Sequence, residues 1–438
     1  MIARPSVPVS CPESATHWLT ALAGLLGFLC SVALLKFFQP FGDKIVYSAT
    51  FVMGSAAAAI FLVDIVWQKV HRRASTGIDF DYDDPSWERA WVKFVGLGGS
   101  LGFVAFLYWL FPEYHGSFYD NYYYLLGNIL PAWIALALPY MYLVDRRMRQ
   151  PHDGYWQMGN VVLGRWSKVD KAVLWQHLLG WLIKGFFLPL MFIYMCNDLS
   201  RFLAYDLTRL ADPKSWFDFI YDQLYFIDVG LVAMGYLMSL RITDTHLRSA
   251  EPTMLGWIVA LVCYEPFWSL IGRNYLAYDP GYPWGTWLAT SPVIQAIWGV
   301  GILGLTATYA WATIVFGARF SNLTHRGIIT SGPYRYTKHP AYLAKSLSWW
   351  MISVPFILHG SAAEALRHCL LLVGLNLIYL MRAKTEEWHL SRDPDYVRYA
   401  QWMEEHGLLR FLRRVPVLRH LCYRAPASVG GERPGRVR

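Results

Sequence analysis

Residues 331–346 read SGPYRYTKHPAYLAKS, and residues 380–403 read LMRAKTEEWHLSRDPDYVRYAQWM. The first stretch sets Tyr334, Tyr336, Tyr342 and a Lys-His-Pro tripeptide just ahead of an apolar run. Gly332-Pro333 is a turn signal, and Pro340 biases His339 toward extended backbone. Proline suits a first helical turn, so a helix is expected to start at Pro340. His339 and Tyr342 then stand at a helix entrance, where free N–H groups favour a carboxylate or another anion. In the second stretch Arg382 and Glu386 are four residues apart and share a helical face, with Glu387 one position round.

Each cluster alone has a plainer explanation. Tyr, Trp, Lys and Arg collect at membrane surfaces, and an Arg-Glu pair on a solvated helix is ordinary. The two clusters, however, flank one helical hairpin. A short hairpin returns both of its ends to one side, so His339, Tyr342, Arg382, Glu386 and Glu387 are expected to be neighbours.

The elements that must position them are membrane helices. Of 438 residues, 55% are hydrophobic and 16% charged, against about 25% charged in a typical soluble domain. Ten segments approach the ~20 apolar residues that a membrane helix needs. They are 18–38, 46–68, 91–111, 122–144, 173–195, 219–240, 253–272, 292–316, 341–357 and 367–381. With the N-terminus in the cytoplasm and strict alternation, 31 of the 39 Lys and Arg fall in cytoplasmic pieces, as the positive-inside rule expects. The expected fold is an all-α, polytopic membrane helical bundle of about ten transmembrane helices, with both termini cytoplasmic.

Other chemistries find little support. The cysteines at 11, 30, 196, 263, 369 and 422 form no C-x-x-C pair and no Cys/His metal pattern, so no metal site is expected. The net charge of +8 fits topology and anionic headgroups. No nucleic-acid partner is expected, because the basic residues build no soluble, aromatic-interleaved patch. GLGGSLG, residues 96–102, lies inside an apolar segment and reads as close helix packing, not as a nucleotide loop.

Residues 316–342 and 380–399 together resemble the isoprenylcysteine carboxyl methyltransferase family and its relatives, the membrane phospholipid N-methyltransferases. That resemblance rests on His325, Ile328-Ile329-Thr330, Gly332-Pro333-Tyr334-Arg335-Tyr336, His339-Pro340, Tyr342, Arg382 and Glu386-Glu387. It covers roughly residues 295–400. It implies an S-adenosylmethionine-dependent methyltransferase acting on a membrane-resident lipid or isoprenoid-type acceptor. It also implies cofactor contacts from Tyr334, His339, Pro340, Tyr342, Glu386 and Glu387, and a catalytic part for Arg382 and Glu386. Carboxylates and aromatic faces favour a sulfonium cation. The sequence departs from the family pattern at Lys338, which replaces an Arg, and at Ala344, which replaces a Gly. The Gly expected between Glu387 and Tyr396 is missing, and Arg414-Val415-Pro416 comes late, after an intervening QWMEEHGLLRFLR.

Two alternatives stay open. The span count and YEPFWSLIGRNYLAY, residues 264–278, are similar to the NADPH-dependent sterol reductases. Against these, Lys345 stands where the reductases carry Asp. The other alternative is a non-catalytic membrane protein that retains the module.

Three regions are expected: an N-terminal transmembrane bundle, 1–290; a methyltransferase-like membrane module with a cytoplasmic cofactor site, 291–422; and a disordered basic tail, 423–438. The first contains intramembrane charges, including Asp64, Lys184, Asp228 and Glu265. Such residues usually face an interior or a cavity, and Lys184 is expected to pair with Asp228 or Glu265. These helices are read as building a pocket open to lipid. The sequence leaves the oligomeric state open.

Overall fold

The structure, a computed structural model, describes residues 10–358 and 360–426. From residue 427 on, the expected tail lies outside the described residues. The chain is an all-α membrane bundle. Its contacts divide it into two units, one of Met1–Trp18, Thr253–Val315 and Gly327–Arg438, the other of Leu19–Pro252 and Phe316–Arg326.

The second unit begins with α1 (Trp18–Phe38), α2 (Ile45–Leu62, extended by a π-type turn, Val63–Trp67) and α3 (Trp87–Leu110). It continues through α4 (Asp120–Asp145), α5 (Gly154–Val162), α6 (Lys171–Ala204) and α7 (Pro213–Leu237). Side-chain caps start several of these helices. Ser86 accepts from the Arg89 amide and Asp153 from the Trp156 amide. Asp212 accepts from the Ser215 amide, with Pro213 in the first turn. A two-residue antiparallel ladder joins β1 (Ser249–Ala250) to β2 (Thr324–His325). Next to it, buried Arg326 donates to the carbonyls of Thr245 (2.6 Å) and Gly235 (2.7 Å), and Arg319 pairs with Asp244 at 3.1 Å. Those bonds fix the segment that leads into Gly327.

The first unit contains α8 (Met254–Leu261) and the single turns α9 (Arg273–Tyr275) and α10 (Trp284–Trp287). After them come α11 (Pro292–Ile314), α12 (Pro340–Ser353), α13 (Ala362–Leu390) and α14 (Pro394–His406). A capping box between Ser361 and Glu364 opens α13.

Among the described residues, seven helices are long and apolar enough to cross a membrane. Leu136, Val300 and Leu377 on three of them remain 70%, 67% and 53% exposed, an apolar surface suited to lipid. Three of the ten expected spans differ from that description, for identifiable reasons. In 219–240, α7 has the length but carries Asp222 and Asp228. In 253–272, α8 stops at Leu261, and a cis Glu265-Pro266 bond and a π-type turn, Trp268–Gly272, follow. In 341–357, α12 has 14 residues, about 21 Å of helix against a hydrocarbon core of about 30 Å. The expected short span 367–381 is instead the middle of the 29-residue α13.

The charges inside the bundle are accommodated locally. Asp64 accepts a hydrogen bond from Thr20 at 2.6 Å. Glu265 pairs with Arg273, eight residues on, at 3.1 Å, and Lys184 lies over the Trp181 ring. Between α6 and α7 an open cavity of about 340 Å³ is lined by Asp198, Arg201 and Asp222 among others.

The GLGGSLG stretch is a packing device. A Cβ on Gly96 would come 1.9 Å from the Tyr155 carbonyl oxygen, and one on Gly159 equally close to that of Val92. Backbone meets backbone where α3 crosses α5. Gly98, two residues along, has nothing within 4 Å of such an atom. Gly96→Val should therefore lower the thermal midpoint in detergent strongly, on the order of 3 kcal/mol. Gly98→Val should leave it nearly unchanged. Equal effects would show that the crossing is not set by these glycines.

Candidate active site

The site is built where the start of α12 meets the end of α13. His339 precedes the helix with non-helical dihedrals, φ −130° and ψ 62°, and Pro340 takes the first turn, as a residue before proline requires. The imidazole then stacks on Tyr342, 5.6 Å between centroids and 7° between planes. Opposite, the last turns of α13 present Arg382, Glu386 and Glu387.

The two glutamates have different surroundings. Glu387 is 4% exposed, with Lys338 at 2.7 Å, Lys384 at 2.8 Å and His339 Nε2 at 3.3 Å. Glu386 is 42% exposed and accepts a hydrogen bond from the Tyr342 hydroxyl at 3.0 Å. One carboxylate is consumed by the fold, and the other faces outward. Arg382 is buried, its guanidinium 5.1 Å from the Tyr342 ring, 5.2 Å from Tyr379 and 5.7 Å from Tyr264. Tyr342 thus lies between a cation on its face and a carboxylate at its hydroxyl.

His339, Tyr342, Arg382, Glu386 and Glu387 are brought together, with Pro340 buried beside them. Tyr334 packs instead against α14, where its carbonyl accepts from the Tyr399 hydroxyl at 2.6 Å.

Several contributors had not been assigned from sequence. Glu404 on α14 pairs with Lys338 at 2.9 Å, and Lys384 also donates to the Leu421 carbonyl at 2.6 Å. The three-residue spacing of Lys384 and Glu387 was the available signal. Glu404 gave none, since it lies in a segment that the family pattern lacks. Residues 12–16 tie down the stretch before Tyr334. The Ala15 amide donates to Ile328 O (2.8 Å), Thr330 Oγ1 to Pro12 O (3.0 Å), and Thr16 Oγ1 to Val315 O (2.6 Å).

An all-α membrane bundle thus carries a His-Pro-x-Tyr helix start set against an outward-facing glutamate. Residues 293–392, in the C-terminal part of the chain, match the model of the isoprenylcysteine carboxyl methyltransferase (ICMT) family. No curated protein and no solved structure matches the chain.

Burial alone would lower the Lys338 pKa, but the carboxylates of Glu387 and Glu404 outweigh it and hold the ammonium above its ordinary 10.5. A group raised on folding contributes its full stability below its unfolded pKa and loses it as pH rises through the folded one. Lys338→Met should cost about 3 kcal/mol at neutral pH, since it strips a buried partner from two carboxylates. Its disadvantage against the parent should shrink at strongly alkaline pH, beyond 10.5. Denaturation midpoints at the two pH values check this, and a pH-independent gap would count against the pairing.

Proposed function

We propose that the chain is an integral membrane methyltransferase that takes S-adenosylmethionine as donor and a membrane-resident lipid or isoprenoid-type molecule as acceptor. The observation that carries this reading is the 42% exposed Glu386 carboxylate, set against the Tyr342 and His339 rings. These residues fit a cationic, ribose-bearing cofactor. A carboxylate gives a cation its counter-charge, and stacked rings give it a polarizable wall.

When bound, the cofactor supplies a methyl group on a sulfonium centre. The chain's own residues have the work of binding and alignment, for which no protein nucleophile is needed. Glu386 and Tyr342 bind through their hydrogen-bonded pair. Arg382, fixed under three phenol rings, orients an electron-rich acceptor. His339 and Glu387 keep the entrance of α12 against α13.

The distribution of basic residues supports a cytoplasmic active site and cytoplasmic termini. An acceptor resident in the bilayer suits a module whose helices are lipid-facing. The reductase alternative is disfavoured by Lys345, whose ammonium lies over the rings of Tyr309 (5.0 Å) and Trp349 (5.5 Å). An aromatic cradle of that kind suits a cation, not the Asp of the reductase pattern.

Titration calorimetry of the purified protein with S-adenosylhomocysteine and, separately, NADPH tests the reading. Binding of S-adenosylhomocysteine is expected, with affinity reduced at least tenfold in Glu386→Gln, since a hydrogen bond to a charged group is lost. His339→Ala should also weaken it without unfolding the bundle. NADPH binding in its place would overturn the assignment.

A further inference from the structure

Helices α6 and α7 pack as neighbours joined by the short connection 205–212, which makes them antiparallel. The open cavity of about 340 Å³ lies between them. One wall is Tyr194, Asn197, Asp198 and Arg201 of α6, and the other is Asp222, Tyr225 and Val229 of α7. The spacings are those of a single face on each helix, so helical register builds both walls. Each runs about 10 Å along its helix. A volume at the lower end of the range for small-molecule sites suits a lipid headgroup.

The end of α6 is fixed from outside the cavity. Lys36, near the end of α1, donates to the carbonyls of Leu203 and Tyr205 at 2.7 Å each. A helix C-terminus favours a cation at that place. Arg201 is thereby free of capping. It pairs with Asp198 and stays 70% exposed, against 13% for Asp198.

Charge and a gradient of polarity define what the cavity takes. Its two aspartates share one guanidinium, which is already paired with Asp198. Among the described residues, no hydrogen bond or ion pair engages Asp222, so one carboxylate is in excess. A carboxylate with open lone pairs takes a hydrogen-bonding cation, and the outward N–H groups of Arg201 match a phosphate. The apolar run of α6 stops at Cys196, and Asn197, Asp198, Ser200 and Arg201 follow. In an antiparallel pair the charged residues then share one end of the cavity. Tyr194, Tyr225 and Val229 line it toward the helix middles. Polar at the helix ends and apolar inward is the order of headgroup and chain in a lipid leaflet.

We propose that this cavity binds the headgroup of a phosphoethanolamine lipid, with the ammonium on Asp222 and the phosphate on Arg201. A primary ammonium has N–H groups to give to a carboxylate, and a quaternary one has none. The site lies wholly within the second unit and does not rest on the methyltransferase reading.

The test is calorimetric titration of the full chain in detergent with dihexanoyl-phosphatidylethanolamine. The matching choline and glycerol lipids and free O-phosphoethanolamine serve as comparison probes. The ethanolamine lipid should bind saturably, about tenfold more tightly than each of the others. Asp222→Asn should weaken it about tenfold, the loss of a hydrogen bond to a charged group. Its lipid-free thermal midpoint should not move, because the carboxylate has no protein partner to lose. Asp218→Asn, one turn earlier on α7 and outside the cavity lining, removes the same charge and should leave affinity unchanged. Equal losses in the two variants would overturn the site, as would a failure of the ethanolamine lipid to bind. Equal affinity for the choline lipid would overturn the headgroup assignment. Free O-phosphoethanolamine binding as tightly as the lipid would overturn the lipid as its source. Should Asp222→Asn not fold, Asn197→Leu alters the opposite wall. It should also weaken binding, and unchanged affinity there would refute the cavity as the site.

Discussion

A buried carboxylate, Glu387, is the point on which the site depends. Removing a carboxylate from water costs several kcal/mol and is tolerated only when partners replace the lost hydration. Glu387 has three: Lys338 from the loop before α12, His339 from its entrance, and Lys384 from its own helix. Two of these partners extend the linkage. Lys338 continues to Glu404 on α14, and Lys384 to the carbonyl of Leu421. Four parts of the chain therefore converge on one side chain. Its neighbour Glu386, rotated one position round the helix, is left outside that network and takes Tyr342 instead. Adjacent carboxylates placed in unlike surroundings take unlike roles, one structural and one available for binding.

The hairpin that carries them is unequal. The 14 residues of α12 are too few to cross a bilayer, whereas the 29 of α13 exceed what a crossing needs. The surplus of α13 carries Arg382, Glu386 and Glu387 in its last turns. Val354, in left-handed geometry at φ 37°, stops α12. Helix ends, not helix middles, therefore build the site, which is why polar side chains can converge on a module made of apolar helices.

Much of this was legible in the sequence, because it followed from local rules. Pro340 fixes the helix start, the four-residue spacing of Arg382 and Glu386 fixes a shared face, and the hairpin brings the two together. What was not legible depends on contacts far apart in the chain. The bonds from residues 12–16 to 315–331 span about three hundred positions and leave no periodic trace. The breaks after Leu261 and the shortness of α12 were hidden for a different reason. Hydropathy reports how apolar a segment is, not whether its hydrogen bonds run unbroken. An apolar run that is bent or halved scores like one that spans.

Two departures from the family pattern turn out to be one. Lys338 stands where the family carries Arg, and QWMEEHGLLRFLR is inserted before the expected Arg-Val-Pro. Glu404 belongs to that inserted segment, and it is the second partner of Lys338. An Arg fork matches one carboxylate in two parallel bonds. An ammonium is a compact charge whose donors point in several directions. It can bridge two carboxylates on separate helices, as Lys338 does at 2.7 and 2.9 Å. It also lies over the Tyr423 ring at 5.1 Å. The lysine is thus matched to a glutamate that the intervening segment places near the end of α14. Read separately, each departure weakens the likeness to the family; read together, they are two changes that meet in one ion pair, Lys338 with Glu404.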